Sequence, residues 1–284
     1  MPTTRPASRA SRRRRRLSAE GRARVRAARL RRLRPGLIED TLVELASMYG
    51  HPVWKRVHDP TSELVLTILS QNTADLNAEK AFEALQRRWP SDPATSAAQD
   101  GSSASRVNRP GWGGVGIERG AVEWSAVEAA PLDELVDVIR PGGLAQQKAP
   151  RIQASLRTVR ELRGDYSLEF LGEMAALAAL DWLTAIGGVG RKTASVVLLF
   201  AFGAPLMPVD RHVERVSKRI GMVPEGVDVE GAHELFLALL EPDQIHEAHV
   251  NLITHGRLTC HALRPECGRC LLAPRCRYVD PKAL

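Results

Sequence analysis

Four thiols stand close together near the C-terminal end of the chain, at Cys260, Cys267, Cys270 and Cys276, and they are its only cysteines. A disulfide scaffold would spread its cysteines to staple distant segments. A compact group at the end of an otherwise cysteine-free chain reads as one metal site in a reducing compartment. Four converging thiolates can hold a cubane iron–sulfur cluster. Zinc accepts four thiolates too, but more often through two Cys-x2-Cys pairs, and only Cys267 and Cys270 form such a pair here.

A second reactive constellation lies in the run Leu-Thr-Ala-Ile-Gly-Gly-Val-Gly-Arg-Lys-Thr-Ala at 183–194. A short amphipathic helix enters Gly187, Gly188, Val189 and Gly190, and a second helix starts at once. Glycines permit positive φ and close approach to another molecule. The first turn of the second helix has unpaired N–H groups and the positive end of the helix dipole. Together these make a phosphate cradle that grips a nucleic-acid backbone without reading sequence, or a tight helix–helix connection. Lys192 sits in that first turn, where the dipole disfavours a cation. Its amine can attack a sugar C1′ and form a Schiff base, or its cation can contact phosphate; the residue alone leaves both open. Asp210 follows 18 residues later, placed to cap the helix expected over 211–220.

Gly188 to Ala194 resembles the helix–hairpin–helix of the endonuclease III family. Pro208-Val209-Asp210-Arg211-His212 resembles that family's Val-Asp-x-His segment, and the spacing from Lys192 to Asp210 matches. By this resemblance Lys192 is the nucleophile of a bifunctional glycosylase/lyase, and Asp210 is the carboxylate that assists it. Gly188, Val189, Gly190 and Arg191 are then DNA contacts. The Cys260-x6-Cys267-x2-Cys270-x5-Cys276 spacing coincides with the family's cluster loop, which implies a [4Fe–4S] cluster. That loop is usually rich in Lys and Arg; here Arg264 is its one firm cation, beside Glu266. Leu69-Ser70-Gln71-Asn72-Thr73-Ala74-Asp75 resembles the segment that fills the gap left by an extruded nucleotide, through Gln71 or Asn72. Gly143-Leu144-x3-Lys148-Ala149 resembles a second loop that approaches DNA backbone. One departure concerns the turn itself: the family usually has Pro where Gly187 stands, so the turn should be looser here.

These groups need a scaffold. Apolar residues recur at helical spacing through 37–49, 62–70, 75–88, 132–139, 147–162, 167–176, 180–186, 191–202, 211–220, 229–240 and 244–257. Period-2 alternation is nearly absent, so the fold is expected to be all-α. The resemblance implies a six-helix barrel domain and a helical iron–sulfur domain, with the DNA-binding cleft between them. The expected divisions are a disordered Arg-rich tail over 1–34, at most a loose basic helix from 19 onward; an N-terminal helix at 35–55 packing on the iron–sulfur domain; the barrel over 56–204; and the cluster domain over 205–284. Residues 92–126, rich in Ser, Ala and Gly, read as a flexible insertion, with Trp112 and Trp124 expected to pack on the body.

The net charge of +7 conceals an asymmetry. Residues 1–34 hold fourteen Arg and one acid, a net +13, which leaves −6 on the remainder. Such a tail suits a polyanion, and could offset the depleted cluster loop; an organelle transit peptide is the lesser alternative. No stretch of eighteen uncharged apolar residues occurs, and no membrane span or secretory signal is expected. The expectation is therefore a monomeric base excision repair enzyme acting on double-stranded DNA with damaged bases, oxidised pyrimidines by the resemblance, or abasic sites. Its place would be the cytoplasm, at the nucleoid. The rivals are a monofunctional glycosylase of the same superfamily, whose adenine-specific branch normally lacks the hairpin Lys, and a non-catalytic iron–sulfur DNA-binding module.

Overall fold

A computed structural model describes residues 17–91, 106–107, 117–118 and 121–283. Residues 1–16, most of the 92–126 insertion and Trp112 lie outside the described residues. The described α-helices are α1 (Ala19–Leu33), α2 (Leu37–Tyr49), α3 (Pro60–Ser70), α4 (Asp75–Arg88), α5 (Trp124–Ala129), α6 (Leu132–Val138), α7 (Ala145–Arg163), α8 (Ala176–Thr184), α9 (Arg191–Phe202), α10 (Arg211–Ile220), α11 (Val229–Leu239) and α12 (Ile245–Leu258). Among the described residues the fold is all-α save for one short antiparallel strand pair, β1 (Arg106–Val107) with β2 (Ile117–Glu118), and an isolated bridge between Pro90 and Val122. No described helix is long and apolar enough to cross a membrane.

The apolar residues sort into two cores. One gathers α3 to α8, with Leu64, Ile68, Phe82, Leu135, Ile152, Leu156 and Leu183 buried. The other gathers α1, α2 and α10 to α12, with Leu37, Leu45, Val213, Phe236 and Leu252 buried. Helix α9 belongs to both: Ala194, Val197 and Leu198 face the first core, while Val196, Leu199 and Phe200 face the second. A helix that is apolar all round must be covered all round, and residues 193–201 are indeed all buried. This helix is the spine on which both lobes close, and its N-terminal turn carries Lys192.

Two expectations need correction. Order does not start near Pro35. Helix α1 is docked on α11 through buried Ala23 and Ala27. Arg31 donates to the carbonyls of Ala238 and Leu239 at 3.1 and 2.9 Å. Arg34, only 2 % exposed, donates to those of Ile220 and Arg275 at 2.8 and 2.5 Å. The small-residue face of Ala23 and Ala27 lets the helix seat closely, which arginine counting alone hides. The helix expected over 167–176 is instead a 3-10 turn at Glu169–Glu173. There Gly172 lies flat against the ring of Phe202: a Cβ would sit 3.0 Å from it. Trp124 packs on the body as expected, 6.4 Å from the ring of Phe82. The two ends of the insertion are pinned together, Ser91 N–H to the Ala121 carbonyl and Glu123 N–H to that of Trp89.

Candidate active site

The turn between α8 and α9 is built on the Val189 N–H bonding the Ile186 carbonyl at 3.0 Å. Gly188 occupies its third position with φ +85°, where such a turn requires a left-handed residue. Val189 is buried and anchors the turn in the barrel core, so only its backbone can face a ligand. Gly190 caps α9 without a side chain, which leaves the first N–H groups of the helix open to an anion. No atom lies within 4 Å of where a Cβ of Gly187 or Gly190 would stand, so this surface is clear for close approach.

Lys192 and Asp210 meet in one pocket of about 390 Å³ between the lobes, with Gln71, Asn72, His212 and Arg257 also on its wall. Asp210 is the N-cap of α10: one carboxylate oxygen, Oδ1, accepts the N–H groups of His212 and Val213, both at 2.8 Å. The approach to it is fixed by two histidines that the sequence did not single out. His233 donates from Nδ1 to the Met207 carbonyl at 2.7 Å, and His249 Nδ1 lies 3.1 Å from that of Pro208. His233 is 2 % exposed and its Nε2 has no hydrogen-bond partner. Burial above all holds its pKa down at about 4, with the nearby Arg191 cation adding to the effect and the Met207 carbonyl opposing it. His212 is also held below the ordinary histidine range, first by burial. Arg215 can only donate, so the 3.1 Å contact from its Nη2 makes His212 Nδ1 an acceptor.

Gln71 and Asn72, adjacent in sequence, divide their work. The Gln71 amide donates to Thr193 Oγ1 and accepts from Arg151, each at 3.2 Å, tying its loop to the start of α9. Asn72 is exposed, holds φ +52° and makes no side-chain hydrogen bond. Lys148, expected on a loop that approaches DNA, is 2 % exposed and serves inside. Its ammonium donates to the Leu69 carbonyl and Thr73 Oγ1 at 2.6 Å each and to the Gly142 carbonyl at 2.8 Å. One buried cation thus locks the 69–75 loop to the 142–144 loop. Burial pulls its pKa down to about 8.

Arg191, expected as a DNA contact, is engaged within the protein. Its guanidinium pairs with Glu234 at 2.7 Å and Glu230 at 3.5 Å on α11. The pairing follows from chain topology, since the start of α11 packs beside the hairpin. Arg264 stands exposed on the loop between Cys260 and Cys267, outside the pocket.

The four cysteines are free thiols and line a second, small pocket of about 20 Å³. Burial pushes the Cys270 and Cys276 thiols up. Helix α10 reaches this pocket from the other end of the segment that Asp210 caps. Arg219 donates to Cys260 Sγ at 3.3 Å and to the carbonyls of His261 and Ala262 at 2.7 and 2.8 Å; Arg215 Nε donates to the Cys260 carbonyl at 3.1 Å. Among the described residues, no group of His, Cys, Asp and Glu is tight enough for a single metal ion. The four thiols thus line one pocket, which Arg219 reaches at Cys260 Sγ.

The sequence pattern of the HhH-GPD superfamily base excision DNA repair proteins matches residues 65–242, more than half of the chain. Endonuclease III of Sulfolobus acidocaldarius is 29% identical over 215 residues, 76% of this chain and 80% of that protein. Endonuclease III of Escherichia coli K12 is 39% identical over 142 residues, which cover 50% of this chain and 63% of the relative, less than two thirds of its length. Among solved structures, a trapped endonuclease III–DNA covalent intermediate superposes with a TM-score of 0.66 at 27% identity, over 86% of this chain and 96% of the other. Fold, hairpin and the extent of the match agree: the chain belongs to the HhH-GPD superfamily of base excision DNA repair proteins.

Proposed function

We propose that the protein is a bifunctional DNA glycosylase and abasic-site lyase of base excision repair, with Lys192 as nucleophile. The observation that carries this is the meeting of Lys192 and Asp210 in one pocket beside an open helix start. The turn at 187–190 receives the DNA backbone. A damaged nucleotide, an oxidised pyrimidine by the family resemblance, is extruded into the pocket. Asn72, exposed and already in a left-handed conformation, fills the gap, while Gln71 and Lys148 keep its loop in place.

The helix dipole disfavours a cation at Lys192, and Asp210 can take the proton that the amine must lose. The amine attacks C1′ as the N-glycosidic bond breaks, and the base leaves with the bonding electrons and the proton that Asp210 took from the amine. The carboxylate stabilises positive charge that develops on the sugar. Ring opening gives an imine between Lys192 Nζ and C1′. Loss of a proton from C2′ to water then expels the 3′ phosphate with the electrons of the C3′–O bond, and hydrolysis of the imine by water releases the lysine. Binding alone would need no carboxylate beside a polyanion, which disfavours a purely structural role for the pair.

Cys260, Cys267, Cys270 and Cys276 would hold a [4Fe–4S] cluster, and Arg215 and Arg219 would fix its loop. When bound, such a cluster cross-links the C-terminal segment and can carry electrons. Arg264 would then reach phosphate from the loop the cluster shapes, in a protein that acts as a monomer.

Duplex DNA carrying an oxidised pyrimidine or an abasic site, incubated with the protein and reduced with borohydride, tests the reading. A covalent adduct that Lys192→Ala abolishes is expected. Base release with no adduct would instead make the protein a monofunctional glycosylase. Binding without cleavage on any lesion would make it a binding module.

A further inference from the structure

Helix α1 carries Arg22, Arg26 and Arg29 at i, i+4 and i+7, one row along a single flank of the helix. All three are exposed. The buried Ala23 and Ala27 fix the rotation of the helix, so the row has a defined direction. Arg22 and Arg26 share the wall of a depression of about 330 Å³ with Arg191, the residue that opens α9. Asp228, Glu230 and Glu234 line the same depression. The opposite flank is occupied differently: Arg24 pairs with Glu20 at 2.6 Å, and Arg31 is bound to the end of α11.

We propose that Arg22, Arg26 and Arg29 form a second contact surface for the DNA backbone, continuous with the hairpin. The inference rests on the reading that the hairpin holds DNA. Three observations carry it. The hairpin's own arginine is committed to Glu230 and Glu234, and the three acids of the depression would repel phosphate if left unbalanced. The chain outside residues 1–34 carries a net −6, so the arginines of this segment supply much of the attraction for a polyanion. The helix is also pre-ordered: Arg31 and Arg34 bolt it to the body, so its arginines meet phosphate without the cost of ordering a free tail. The surface takes phosphates of the same duplex that the hairpin grips. It reads charge and spacing and not base identity. Helix α1 precedes the residues that match the superfamily pattern, so this contact lies outside the shared repair core.

The test is the salt dependence of affinity for an undamaged duplex long enough to extend well past the hairpin. Each phosphate contact contributes a slope of about 0.9 in log K against log salt. The triple variant R22Q/R26Q/R29Q is expected to flatten the slope by about 2 to 3, while R22K/R26K/R29K retains it. Arg24→Gln, on the other flank, should leave the slope where it was. Borohydride trapping on lesion DNA at saturating protein is expected to survive in the triple variant. An unchanged slope in that variant, or an equal loss per residue from Arg24→Gln, overturns the assignment. If the unaltered protein neither binds duplex DNA nor traps, the functional reading itself fails; trapping with an unmoved slope removes this inference alone.

Discussion

Arg257 of α12 and Asp75 at the start of α4 form an ion pair at 2.7 Å, reaching from one lobe to the other at the wall of the pocket that holds Lys192 and Asp210. Both side chains are largely covered, 27% and 13% exposed. A charged hydrogen bond in such a place contributes about 1–2 kcal/mol after allowance for residual solvent. Arg257→Met and Asp75→Asn are each expected to lower stability by that order in urea. In the double variant the losses should fall short of additivity by about 1 kcal/mol. Strict additivity would mean that the pair does not couple the lobes.

Asp210 both caps α10 and faces the nucleophile, and two substitutions separate the roles. Asparagine caps a helix about as well as aspartate, whereas alanine loses about 1 kcal/mol. Asp210→Asn should therefore keep its unfolding midpoint while single-turnover base excision falls by about 10²-fold or more. Asp210→Ala should lose both. Excision by the asparagine variant at the unaltered rate would assign the carboxylate to capping alone.

The two adjacent glycines of the hairpin are predicted to respond in opposite ways. Gly188 has φ +85°, so Gly188→Ala strains the turn by about 1–2 kcal/mol. Gly187 has clear space around its Cβ position and stands second in the turn, where proline pre-sets the backbone. Gly187→Pro should add about 0.4–1 kcal/mol by restricting the unfolded chain and tighten binding to undamaged duplex. Thermal melts and fluorescence anisotropy read both effects; destabilisation by Gly187→Pro would show that the turn needs the freedom of glycine.

His233 predicts an acid-sensitive lobe. Its folded pKa is about 4 against an ordinary 6.5. Above pH 6.5 both folded and unfolded states hold it neutral. Between 6.5 and 4 the unfolded chain binds the proton and the folded chain does not, so stability falls as pH drops through that window, by up to about 3 kcal/mol. His233→Gln keeps a donor for the Met207 carbonyl and removes the titration. Its urea midpoint should vary less between pH 7 and 5 than that of the unaltered protein. Parallel pH profiles for the two would rule His233 out as the cause.

Much of the chemistry was legible because it is local. The glycine turn, Lys192 at a helix start, Asp210 before α10 and the cysteine spacing all lie within short windows whose geometry follows from residue type. What could not be read depends on partners far away in sequence. Lys148 looks like a surface lysine until Leu69 and Thr73 supply its acceptors. Arg191 looks like a phosphate ligand until α11 brings Glu230 and Glu234 beside it. His233 and His249 are ordinary helix residues until the carbonyls of Met207 and Pro208 meet them. Gln71 and Asn72 look alike until Thr193 and Arg151, both on other helices, take up the Gln71 amide. Helix α1 was misjudged because its charge outweighs, in composition, the two alanines that seat it.

The fastening of Arg34 to the Arg275 carbonyl spans 241 residues, so α1 is held in part by a segment made long after it. At a synthesis rate of about 5–20 residues per second, the interval between the two is roughly 12–50 seconds. Until Val229–Leu239 is made, α1 has no seat on α11 and stands as a strongly basic segment. The barrel can form in the meantime, since its core is drawn from the middle of the chain. The cysteine-bearing lobe closes later, when Arg275 meets Arg34. A nascent chain halted before Arg275 therefore keeps α1 on α11 but lacks the second anchor of Arg34, and its thiol pocket is incomplete.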